Sequence, residues 1–335
     1  MSFDSLIPII GDLLQVPARQ RPAIGLEACR TGGNNRIYIV SVDGRKVVAK
    51  QYFRHPSDPR DRLHAERSFL EYAGRAGIGC VPRVIGSDAA RGVGLYEYID
   101  GTQLAAREIG SKQVEEAATF FLKLNDPENR EAASELPTAS EACFTVNEHF
   151  AMVDQRLVRL GAISGSADVD LAAQDFVASL ATLWGRLKER LSHARENFAE
   201  ELEERCISPS DFGFHNALAR PSGKLCFLDF EYAGWDDPAK MAGDFFSHPA
   251  VTVPREHFDE FVRVTMGHSR HAKALEARAR LLLPLFQVKW CCIILNNFIP
   301  EFAERRKFAD PALDEAAAKR GQLEKAQWLY RSIEG

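Results

Sequence analysis

The hydrophobic pattern changes character once, near residue 100, and this change limits the fold more than any other feature of the 335-residue chain. Before it, apolar residues come in short β-branched runs. Ile37–Val42 and Lys46–Tyr52 flank Asp43-Gly44. Asp-Gly between such runs predicts a hairpin, because both central turn positions need positive φ. Pro59 to Ala76 reads as one helix closed by Gly77, and Val93–Ile99 as a further strand. From Ser111 onward helical patterning takes over, with candidates at 112–124, 146–160, 171–202, 239–247, 255–266, 274–302 (bent at Pro284) and 311–333. Two short β segments, 216–220 and 224–230, interrupt it, joined by Pro221-Ser222-Gly223. Asp126–Ala142 is polar, holds two prolines and reads as a loop insertion. The expectation is an α+β, bilobed molecule: a small β-rich N-lobe over residues 1–97 and a large helical C-lobe over 98–335, holding one hairpin.

Lys and Arg together number 42 and Asp and Glu 47, a net charge of −5. The chain therefore lacks the basic excess of a dedicated nucleic-acid binder. No run reaches the ~20 apolar residues of a bilayer span; the nearest, 280–295, is broken by Gln287 and Lys289. The first sixteen residues carry Asp4 and Asp12 and no leading Lys or Arg, unlike a secretory signal. These features predict a cytoplasmic protein with no membrane or nucleic-acid partner. The seven cysteines include no C-x-x-C pair and read as buried thiols rather than disulfides or zinc ligands.

Chemistry concentrates in Ser208-Pro-Ser-Asp-Phe-Gly-Phe-His-Asn216 and Phe227-Leu-Asp-Phe-Glu-Tyr-Ala-Gly-Trp-Asp-Asp-Pro238. Alone, an aspartate five residues before an asparagine is a capped turn. Here the hairpin places a second aspartate, Asp229, thirteen residues after Asn216 and at the same end of the hairpin. Phosphoryl transfer from a nucleotide needs such a set: one carboxylate for the nucleophile's proton, and oxygen ligands for a hard divalent cation.

This segment resembles the aminoglycoside phosphotransferase and choline kinase superfamily, whose fold is that of protein kinases. Asp211 and Asn216 match the polar ends of that family's H-x-D-x-x-x-x-N motif, Asp229 matches its D-F-x metal motif, and Asp237-Pro238 matches the D-P that follows. The resemblance implies a protein-kinase-like fold, with Asp211 as catalytic base, Asn216 and Asp229 as Mg²⁺ ligands, and ATP or GTP as donor to a hydroxyl of a small-molecule acceptor. It extends into the small lobe. Val47-Val-Ala-Lys50 looks like the strand that ends in the phosphate-binding lysine, and Leu95 to Gly101 looks like the hinge, with the Glu97 carbonyl and Ile99 amide against the adenine. Glu66 lies on the apolar stripe of its helix with Leu63, Leu70 and Ala73. A buried carboxylate needs a partner, and Lys50 is the natural one. Gly32-Gly33-Asn34-Asn35 stands where the Gly-rich nucleotide loop belongs.

The sequence departs from the family at three places: Pro209 replaces the histidine, the Gly-rich loop is short, and Met241 stands three residues after Pro238 with Asp244 one turn later. Asp237 follows Asp229 by only eight positions, leaving no room for the activation loop of a protein kinase. The alternative from another class is a nucleotide-binding pseudokinase or regulatory protein without phosphotransfer. Pro209 favours it, and the intact Lys50, Asp211, Asn216 and Asp229 oppose it. His215 reads as a loop or core histidine. Lys289, Asn296 and their neighbours read as a snorkelling lysine and surface amides, with a substrate pocket as the alternative. Glu231, Asp236 and Asp237 suggest attraction of a cationic acceptor, which conflicts with that pocket.

Overall fold

The computed structural model of the chain describes all residues except 1–2, 30–34, 56–57, 59, 195–203, 301, 303–305, 307, 309–311 and 335. Helix α1 (Phe3–Leu13) leads into the strands β1 (Gly25–Cys29), β2 (Arg36–Val42) and β3 (Arg45–Gln51). Helix α2 (Arg62–Arg75) follows, then β4 (Val84–Asp88) and β5 (Val93–Glu97). The five strands form one sheet in the order β1-β2-β3-β5-β4, every neighbouring pair antiparallel. The expected hairpin is β2–β3, and Asp43 and Gly44 take φ of 48° and 73°, the left-handed pair that such a turn requires. Asp61 caps α2, accepting the His64 N–H at 3.0 Å.

Alternation along the strands splits the sheet into two faces. Val47 and Ala49 of β3, with Val40, Val93 and Leu95, bury against Leu6, Ile9 and Ile10 of α1. Lys50, Tyr52 and Tyr96 take the opposite face, toward α2. Gly94 makes this possible: a Cβ there would sit 2.5 Å from the Tyr96 hydroxyl, so only glycine lets that ring lie flat across the strand. Helix α1 escapes sequence reading because Pro8 and Gly11 interrupt its short pattern.

The rest of the chain is mainly helical. After β6 (Thr102–Gln103) come α3 (Ser111–Leu124), α4 (Val146–Leu160) and α5 (Asp168–Ala194). Short strands β7 (Cys206–Ser208), β8 (Ala217–Ala219), β9 (Leu225–Phe227) and β10 (Gly234–Asp236) carry the motif residues. Helices α6 (Pro238–Ser247), α7 (Phe258–Met266), α8 (Ala272–Ile294) and α9 (Glu315–Glu334) complete it. β8 pairs with both β6 and β9, and β7 pairs with β10. Helix α8 is the centre of the lobe, packing against α4, α5, α6, α7 and α9. It corrects the composition argument. Ala272–Phe298 is long and apolar enough to cross a membrane, holding an 18-residue window of mean hydropathy 1.4, yet 78% of that window is buried inside the molecule. Its apolarity is that of a core helix. None of the seven cysteines is in a disulfide; five are buried and two half-buried.

Candidate active site

The hairpin β8–β9 sets the site. Its first pair is Ala217 opposite Phe227, and the Leu228 N–H donates to the Asn216 carbonyl at 2.8 Å. Asn216 and Asp229 therefore leave the same end of the hairpin. Asp229, two residues beyond β9, has φ of 65°, a left-handed conformation that turns the chain away from the ladder. The loop before Asn216 is fixed from within: Ser210 has φ of 66°, its N–H donates to Ser208 Oγ at 3.0 Å, and the Asn216 amide donates to the Asp211 carbonyl at 3.0 Å. These bonds hold the loop that Pro209 enters without the family histidine.

Lys50, on β3, meets carboxylates from α2 and from the turn that follows β9. Its ammonium donates to Glu66 Oε2 at 2.6 Å and to Asp229 Oδ1, with Glu231 Oε2 at 3.5 Å. The expected pairing of Lys50 with Glu66 is thus present, and β3 is the middle strand. Burial alone would depress the lysine; Asp229, Glu66 and Glu231 outweigh it and hold Lys50 well above its ordinary value. Asp229 moves the other way from most paired aspartates. Burial, with Glu231 and Glu66 close by, pushes it up to about 7 against the pull of Lys50. Tyr52 donates to Glu66 Oε2 at 2.5 Å and pairs with Tyr96 at 2.6 Å. Neither tyrosine was legible as a site residue. Only the alternation of β3, which puts Tyr52 on the Lys50 face, carries that signal.

Asp211 stands apart from this cluster, its side chain partly exposed. His215 Nε2 lies 3.4 Å and His248 Nε2 3.7 Å from its Oδ1. Burial alone would raise Asp211, but His215 and then His248 overcome it and hold the carboxyl well below the usual range. Glu97 ends β5, its carboxylate 3.1 Å from Arg83, and Ile99 is buried just beyond it. Gly32 and Gly33 lie outside the described residues. Asn35, directly after them, is buried and donates to Glu231, while its Oδ1 accepts the Phe53 N–H at 3.0 Å.

The charges that gave conflicting hints about the acceptor are all paired. Asp237 caps α6 through the Ala239 N–H at 2.7 Å, and its Oδ2 takes Arg278 at 2.9 Å and His149 at 3.0 Å. Asp236 accepts Lys240 at 2.7 Å. Asp244 binds Lys289 and, at 2.9 Å, the Trp290 indole N–H. Lys289 is 2% exposed, so it is a buried ion-pair partner and not a snorkelling surface lysine. Glu231 is held by Asn35 and Lys50. Asp236, Asp237 and Lys289 are thus held in buried ion pairs within the protein.

Glu66, Asp229 and Glu231 bring carboxylate oxygens within 4.8 Å of one another. Asn216 has its amide N–H₂ engaged with Asp211, which leaves its oxygen as the atom for a ligand. Such an all-oxygen set fits a hard cation such as Mg²⁺.

Comparison with solved structures gives the same architecture. A choline/ethanolamine kinase family protein from Mesorhizobium loti is 19% identical, with a TM-score of 0.60 over 98% of this chain and 95% of that one. The choline kinase of Cryptosporidium parvum is 12% identical, with a TM-score of 0.59 over 99% and 98%. A spectinomycin phosphotransferase, solved with ADP and spectinomycin, is 11% identical, with a TM-score of 0.59 over 92% and 93%. No curated protein matches the sequence significantly. The fold is therefore protein-kinase-like, and residues 25–259 match the Phosphotransferase enzyme family. That match spans the sheet, Lys50, the Asp211 loop and the Asp229 turn, and on it the chain belongs to the Phosphotransferase enzyme family.

Proposed function

We propose that the protein moves the γ-phosphoryl group of ATP to a hydroxyl of a small molecule. The observation that carries this reading is the convergence of Lys50, Glu66 and Asp229, residues far apart in sequence, in one buried charge cluster beside the Asp211 loop. Lys50, held by Glu66 and the Tyr52 ring, contacts the phosphates in this reading. Asn216 and Asp229 would hold Mg²⁺, which when bound neutralises phosphate charge. Asp211 takes the acceptor's proton as its oxygen bonds to the γ-phosphorus; the bond to the leaving ADP oxygen breaks and the proton remains on the carboxyl. The Glu97 carbonyl and the Ile99 amide face the adenine in this reading. An adenine donor is favoured over GTP because relatives have been solved with ATP, ADP and AMP. Choline, ethanolamine, streptomycin and spectinomycin appear in the names of similar structures, which supports a small hydroxyl compound as acceptor.

Ligand-dependent melting tests the reading. Mg²⁺-ATP should raise the melting temperature, since a ligand that binds only the native state stabilises it by mass action. Asp229→Ala should remove the metal-dependent part. No shift at millimolar Mg²⁺-ATP or Mg²⁺-GTP would sink the proposal.

A further inference from the structure

Two histidines crowd one oxygen of Asp211. His215 comes from its own loop, and His248 from the end of α6, 33 residues further along. Their rings are parallel to within 4°, with centroids 3.5 Å apart. His248 is fixed on two further sides. The Trp290 ring meets it edge-on at 4.4 Å, itself tethered by its indole N–H to Asp244. The Ala250 N–H donates to His248 Nδ1 at 3.3 Å. A ring nitrogen that accepts an N–H presents its lone pair there, so the proton of a neutral His248 sits on Nε2, the atom facing Asp211. Burial, with His215 close by, keeps His248 neutral, its pKa down to about 3.

Asp211, His215 and His248 could be grouped as metal ligands by distance alone. Parallel stacking argues otherwise, since the in-plane lone pairs of the two rings run side by side instead of converging, and Nε2 of His248 carries a proton. The arrangement suits a hydrogen-bond donor braced behind a carboxylate.

We propose that His248 is a positioning residue for phosphoryl transfer. Its Nε2–H, braced by Ala250, His215 and Trp290, engages Oδ1 of Asp211 and leaves Oδ2 to meet the acceptor hydroxyl. The inference rests on Asp211 being the base. The 3.7 Å separation is that of a bond still open, and catalytic hydrogen bonds tighten when the reacting complex forms. A carboxylate free to rotate would present the wrong oxygen for part of its time, and small misplacements of a reacting group cost up to ~10²-fold in rate.

Two variants separate positioning from packing, with water as the acceptor in slow Mg²⁺-ATP hydrolysis. His248→Phe keeps the ring stack and loses the donor. His248→Gln loses the stack and keeps an N–H donor. The expected result is a kcat lowered ~10–100-fold in the Phe variant, with the KM for ATP and the ATP-induced melting shift unchanged, and a Gln variant nearer the wild type. A purely structural role reverses the order, the Phe variant outperforming Gln, and that result would overturn the proposal. ¹⁵N shifts of His248 in the wild-type protein give a readout that needs no variant to fold: the Nε2–H tautomer is expected, and an Nδ1–H tautomer would overturn the inference. A wild type that binds no Mg²⁺-ATP sinks the phosphotransferase reading instead, and the tautomer still decides the geometry of His248.

Discussion

Asp211 and Asp229 are both drawn out of the ordinary carboxylate range, in opposite directions. Histidines hold Asp211 low, while burial among other acids raises Asp229 to about 7. Environments that push two like groups apart are how a site gives them different tasks. The low pKa keeps Asp211 anionic at neutral pH, the protonation state a general base requires, although it lowers its basicity. Asp211→Asn keeps the shape of the side chain and removes its charge. Turnover should fall by ~10²–10⁴, the usual worth of general base catalysis, with nucleotide affinity unchanged in a binding titration. A residue that only caps the turn would instead cost ~1 kcal/mol of stability and leave turnover near normal. His248 makes a second, pH-dependent prediction. Its folded pKa lies below its ordinary 6.5, so between pH 6.5 and about 3 the unfolded chain binds the extra proton and stability falls as pH falls. Asp237 and Asp244 are also lowered, by the His149 and Arg278 partners of the first and the Lys289 and Lys240 partners of the second, against their burial. Their contribution is present above the ordinary carboxylate range and is lost below about pH 4. Asp229, raised to about 7, acts in the opposite sense between pH 7 and 4, so the His248 part is read as a difference. The stability of the wild type relative to His248→Phe should fall as pH drops from 6.5, while denaturant melts of both proteins decline below 4.

Among the elements, α6 and α8 show how tightly the helical lobe is built. Gly243 faces Phe286, and a Cβ at Gly243 would fall 2.1 Å from that ring. Gly243→Ala should destabilise by ~1–3 kcal/mol through overpacking, read as a lower melting temperature; an unchanged value would show that the helices have room to separate. The helices and the hairpins that carry a strong period were legible in the sequence. Val146–Leu160 is α4 to the residue, helped by the Thr145 cap and the Glu148 that reaches back to it. The β2–β3 hairpin, α2 and α3 match to within a few residues. The three-residue strands β7 and β10 were not legible, since three residues carry no period. Their pairing is set by distant chain, as Gly234 opposite Ser208 illustrates. In the candidate site, Lys50, Glu66, Asp211, Asn216 and Asp229 could be singled out by motif spacing and family resemblance, and of these the structure brings Lys50, Glu66 and Asp229 into one cluster. His149, Arg278 and His248 were not, because each reaches its aspartate from another helix or helix end, and nothing in the local sequence marks that meeting. Lys289 was misread because a lysine in an apolar helix ordinarily escapes to solvent, whereas here Asp244 holds it inside.

At the scale of the whole molecule, the apolar cores do not follow the two lobes. The sheet and α1 share one cluster. Helix α2, although it belongs to the small lobe in sequence, shares the other with the helical lobe. Phe69 stacks on Phe230 at 4.5 Å, and Tyr72 donates to the Leu124 carbonyl at 2.6 Å. Hydrogen exchange reports such units separately. The amides of α2 should open together with those of α3, and α1 with β2; exchange of α2 in step with α1 would contradict this division. Lys50 therefore travels with the sheet, while Glu66 is anchored to the floor beneath it. A tilt of the sheet over that floor would slide the two charges past each other, so the length of this one ion pair, 2.6 Å here, is a gauge of any such movement.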